Sequence, residues 1–82
     1  MLSDTAKEAL IDIRYHIDLI GTFIEGFDYP RFAADPRTFH AVTRCLEIIS
    51  EASKRLPQDM KERHPAIQWR HMADAGNKYR HE

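Results

Sequence analysis

The sequence predicts an all-α fold, an antiparallel bundle of helices. Three observations carry that expectation. Apolar residues recur at steps of three and four through three long segments, and no segment alternates with the period of two that a half-buried strand needs. Helix punctuation stands at the ends of those segments: Ser3-Asp4, Asp35-Pro36, Pro57 and His64-Pro65. The chain of 82 residues is 43% apolar, with four Phe, three Tyr and one Trp, which is enough for one small core and no more.

The first helix is expected from the Ser3-Asp4 cap, with Glu8 early in it. Its stripe runs Ala6, Leu10, Ile13, Ile17, Ile20, Ile24 and Phe27. A second ridge, Ile11, Tyr15, Leu19 and Phe23, lies on another face. One stripe packs a helix onto its own domain, so two ridges imply a further cover, and a partner subunit is expected. Gly26 with Asp28-Tyr29-Pro30 ends the helix. Residues 30–35 read as a connector with Phe32 tucked beneath it. Asp35 caps the second helix and Pro36 takes its first position. Phe39, Val42, Cys45, Leu46, Ile49, Ala52 and Leu56 form its apolar face. Beside them run His40, Arg44, Glu47 and Glu51. These form a salt-bridged exposed ridge, or else Glu47 or Glu51 faces a site on the last helix. Pro57 breaks the second helix, and residues 58–63 read as one short charged turn. The residue before Pro65 avoids helical backbone, so the last helix is expected from Ala66-Ile67 onward. No Gly, Asn or Pro follows as a stop signal, which suggests a fragment of a longer chain. A single domain over 1–82 is expected.

Composition narrows the function classes. Cys45 is the one cysteine, so no internal disulfide forms, and at a core-facing position it reads as a small hydrophobe. No run approaches a membrane span and no signal peptide opens the chain, so the cytosol is the expected compartment. The net charge of −1 argues against a generic nucleic-acid binder, yet it is uneven. Residues 1–53 hold five basic and nine acidic side chains, and residues 54–82 hold seven basic and four acidic, with three of the five His. A modest positive potential near the last helix would attract phosphate.

That helix carries the candidate site. Arg70, Asp74, Asn77 and His81 fall at i, i+4, i+7 and i+11, one narrow polar stripe beside an apolar arc of Trp69, Met72, Ala73, Gly76 and Tyr79. Arg80 projects along the line of Gly76, one turn on. An imidazole moves protons near neutral pH, a guanidinium grips phosphate oxygens, and an amide orients a ring or a phosphate. RNA supplies its own 2′-OH nucleophile, so cleavage needs neither metal nor cofactor. His81, Arg80 and Asn77 meet that description, but the same spacing also suits an ordinary solvated face. His64, His71 and His81 share no face, so a metal site is not expected.

The run from Arg44 to Ala52, Arg-Cys-Leu-Glu-Ile-Ile-Ser-Glu-Ala, then Leu56-Pro57, then Trp69-Arg70 leading to Asn77 and His81, resembles the HepT-like branch of the HEPN superfamily. These are small helical ribonuclease toxins paired with a minimal nucleotidyltransferase antitoxin. The likeness spans nearly all of the chain, short of the family's terminal helix. It implies an all-α homodimer with the motif helices flanking a shared cleft. It implies metal-independent RNA cleavage by an Arg-x4-6-His motif, and an antitoxin that in some pairs adds AMP to a Tyr two residues beyond the His. His81 matches the motif histidine and Asn77 the polar residue after its arginine. Gly76 stands at the arginine position, and Arg80, four residues on, is the candidate replacement. Ser50 stands where the family has Gly. The expected roles are His81 as general acid/base, Arg80 as phosphate clamp and Asn77 as orienting group, with Glu51, Arg70 and Asp74 in support. Two alternatives are a HEPN-type subunit without catalysis that binds a nucleotide or a nucleotidyltransferase partner, and a plain helical interaction module.

Overall fold

The computed structural model describes the backbone of residues 2–81 and the side chains of residues 2–75. Five helices follow in order: α1 (Asp4–Phe23), α2 (Tyr29–Ala33), α3 (Pro36–Lys54), α4 (Gln58–Glu62) and α5 (Trp69–His81). No strand occurs among the described residues.

Capping chemistry fixes the starts. The Ser3 hydroxyl accepts from the Ala6 N–H at 3.1 Å, and Asp35 Oδ1 accepts from the Thr38 N–H at 3.3 Å, just ahead of Pro36. Each satisfies a backbone donor that the helix itself leaves unpaired. Gly26 takes φ +79° at the turn after α1, a conformation that costs a residue with a Cβ. The expected connector at 30–35 is instead the short helix α2. Asp28 caps it through the Arg31 N–H at 2.9 Å, and Pro30 sits in its first turn.

α3 is the central element, packed against both α1 and α5. Ala9 near the start of α1 meets Ala52 near the end of α3. Ile20 and Ile24 at the other end of α1 flank Val42 at the start of α3. The two helices are therefore antiparallel. Ala9, Ala52, Leu56 and Met60 make the buried centre, with Leu2, Ile13 and Trp69 packed against it.

The deepest positions are small. Ala6, Ala9 and Ala52 are fully covered, and the largest completely buried side chains are Ser50 and Ser53. Small residues let helix backbones approach closely, and the bulkier apolar side chains then stand at the flanks. The α1 stripe is half covered: Leu10, Ile17 and Ile24 stay exposed although the periodicity places them inward. Phe39, expected on the buried face of α3, is also exposed, its ring 5.7 Å from that of Phe32. On the second ridge, Ile11 and Tyr15 are 67% and 58% exposed, an apolar surface that this chain does not cover.

Candidate functional site

α5 begins at Trp69, later than the expected Ala66-Ile67. Residues 64–68 turn tightly, with the Ile67 N–H donating to His64 O at 3.2 Å. Trp69 fixes the register. Its indole N–H donates to the carbonyls of Lys61 (3.2 Å) and His64 (3.1 Å), and its ring packs on the core beside Leu56 and Met60. A single side chain thus ties α4, the turn and α5 together.

A second tie lies one turn further along. The Ser50 hydroxyl, only 1% exposed, donates to the Ala73 carbonyl at 2.7 Å. Ser53 donates within α3 to the Ser50 carbonyl, also at 2.7 Å. Ser50 is therefore a polar contact through which α3 holds α5. Where α1, α3 and α5 meet, Ile17, Ile20, Leu46, Ile49, Met72 and Ala75 line an apolar groove of about 310 Å³.

The expected stripe is placed in part. Arg70 and Asp74 are exposed on α5, away from the core, as the wheel requires. The backbone of α5 continues as helix through Asn77 and Arg80 to His81, but the side chains of these three, and of Tyr79, lie outside the described residues. Glu51 is on α3 at the exposed ridge, its carboxylate 3.2 Å from the Lys54 ammonium, and Glu47 pairs with Arg44 at 3.6 Å. Both ion pairs lie within α3, and the side chains near the end of α5 that either glutamate could face lie outside the described residues. His71 turns to Gln68, with Nδ1 donating to Oε1 at 2.6 Å.

One feature was not legible in the sequence. Gln58, Lys61, Glu62, Trp69, Arg70 and Ala73 line an open groove of about 340 Å³ between α4 and α5. The Lys61 ammonium lies 6.0 Å from the Trp69 ring centroid, at the outer reach of a cation–π contact. Lys61 and Trp69 are eight residues apart across a turn, so no helical spacing signals their meeting. Burial pushes the Cys45 thiol above its ordinary value of 9.0, which keeps it neutral and poorly nucleophilic. Among the described residues no helix is long and apolar enough to cross a membrane.

Comparison with known proteins gives the family of the chain. Residues 7–82 match the family described as ribonuclease HepT-like. The probable ribonuclease HepT of Thermococcus cleftensis is 45% identical over 75 residues, which is 92% of this chain and 68% of that protein. Two candidate RNases of Methanocaldococcus jannaschii are 37% and 36% identical over 76 residues, covering 93% of this chain and 66% and 63% of theirs. The chain thus spans about two thirds of the length of these curated relatives. No solved structure matches it. With nearly the whole sequence inside the matched region, the helical bundle built around α3 and α5 belongs to the ribonuclease HepT-like family.

Proposed function

We propose that this protein is a metal-independent RNA endonuclease, the toxin of a toxin–antitoxin pair, acting in the cytoplasm as a homodimer. The observation that carries this reading is membership of a ribonuclease family through a match that includes α5. α5 is a continuous helix, and its register sets residues 70, 77 and 81 within about 40° of one another around the axis. His81 takes the 2′-OH proton as general base. After attack on phosphorus it, or its counterpart in the second subunit, protonates the 5′-oxygen that leaves. The products are a 2′,3′-cyclic phosphate and a 5′-hydroxyl. Arg80 clamps the non-bridging oxygens and balances the charge they gain in the transition state. Asn77 orients the imidazole or the phosphate, and Arg70, Asp74 and Glu51 shape the surrounding field.

Ile11 and Tyr15 on α1 offer apolar surface for the second subunit. The silencing partner is a minimal nucleotidyltransferase. A direct test incubates the purified protein with single-stranded RNA in EDTA and analyses the termini. Cyclic phosphate ends support the reading, and intact RNA at micromolar protein removes it.

Gly76, at the position where the family motif has arginine, favours a second reading. The bundle would then be a non-catalytic subunit that binds a nucleotide or the nucleotidyltransferase. Titration of ATP and of that partner separates the two: tight binding with no RNA cleavage selects the second.

A further inference from the structure

The groove between α4 and α5 shares only Arg70 with the residues assigned to the chemistry, and its lining suits one kind of guest. Trp69 supplies an aromatic surface on which any base can stack. That ring is held rigidly, because its N–H is already committed to the carbonyls of Lys61 and His64. Lys61 and Arg70 stand at the rim, and neither is in an ion pair among the described residues. The Gln58 amide can pair with a base edge, and the Glu62 carboxylate can accept from an exocyclic amino group. Two cations against one carboxylate leave the rim net positive.

Position completes the argument. Arg70 shares its face of α5 with Asn77 and His81. At 1.5 Å rise per residue the groove lies about 10 to 16 Å along the axis from them. A stacked strand advances ~3.4 Å per nucleotide, so that distance holds about three to five nucleotides. We infer that the Lys61–Trp69–Arg70 groove is a remote subsite for single-stranded RNA, stacking one base on Trp69 and holding adjacent phosphates with Lys61 and Arg70. This rests on the nuclease reading for its substrate class, but it fixes how the strand lies: along α5, from the groove toward the C-terminal end of the helix.

The test uses the whole protein and a 12-nucleotide 2′-O-methyl oligonucleotide, which cannot be cleaved. Trp69 is the only tryptophan, so its emission reports on this groove alone. Binding should quench it. Lys61→Gln and Arg70→Gln each remove one phosphate contact. Each should flatten the slope of log K against log salt by about 0.7 and weaken binding about 5-fold at 0.1 M salt, with little dependence on sequence. Arg70 is exposed and Lys61 half-buried, and unchanged melting temperatures will show that both variants fold. Binding without quenching, no binding at all, or a double variant with an unaltered salt slope overturns the subsite. The nuclease reading fails separately. If the unmodified protein leaves RNA intact but the salt slope still falls in the double variant, the subsite stands and the chemistry does not. If RNA is cleaved and the slope does not change, the chemistry stands and the subsite falls.

Discussion

Removing the Ser50 hydroxyl should loosen the helix that carries the candidate site, and two buried serines on α3 allow the effect to be isolated. Ser50 and Ser53 are each 1% exposed, and each donates a 2.7 Å hydrogen bond. Ser50 reaches across to Ala73 on α5, whereas Ser53 bonds back into its own helix. Ser50→Ala forfeits an interhelical bond with a net worth of about 1 kcal/mol. It regains roughly 0.5 kcal/mol because Ala is the better helix former. Ser53→Ala gains the same propensity and loses only a local bond of the kind that competes with helix geometry. The two variants should therefore differ by about 1 kcal/mol, with Ser50→Ala the less stable. In a domain of this size that difference is a Tm gap of about 4–8 °C. Urea unfolding followed by Trp69 emission measures it, since that indole reports on the docking of α5. Equal stabilities would refute the claim that the Ser50–Ala73 bond holds α5 on α3.

Other consequences are open to the same measurements. Gly26→Ala should lower stability by about 1 kcal/mol through backbone strain alone, because an added Cβ meets nothing within 4 Å but φ is +79°; an unchanged Tm would contradict it. Cys45 should react with a thiol reagent at pH 8 far more slowly in the native protein than in urea, and equal rates would place it at the surface. Because burial raises its pKa in the folded state, the stability it contributes is complete below about pH 9 and is lost as pH rises through the raised native value. The Arg55–Asp12 pair, 3.1 Å apart and half exposed, should contribute no more than about 1 kcal/mol and less in 1 M salt. A double-mutant cycle at low and high salt checks this.

Local chemistry made the long helices legible before any coordinates. The Asp35-Pro36 start of α3 needs only a cap and a residue without an N–H, both adjacent in sequence. The Ser3 cap and the Gly26 stop are equally local. Less could be read where distant residues decide. α2 forms because Asp28 caps a segment that also reads as a loop. α5 starts at Trp69 because an indole N–H finds two carbonyls across a turn. Periodicity identified the apolar faces but not their depth: Ala9 and Ala52 are fully covered while Ile17 and Phe39 are left exposed. In the candidate site the spacing of Arg70, Asp74, Asn77 and His81 follows from a helical backbone, while the groove around Lys61 and Trp69 depends on a tertiary contact.

The central claim is that an imidazole near the end of α5 moves protons at an RNA phosphate. Single-turnover cleavage of a defined RNA by the unmodified protein and by His81→Ala, both in EDTA and both shown to be equally folded, tests it most directly. The rate should fall by at least about 100-fold in the variant, the size of a general acid–base contribution. Cleavage by His81→Ala at the unmodified rate would contradict the mechanism.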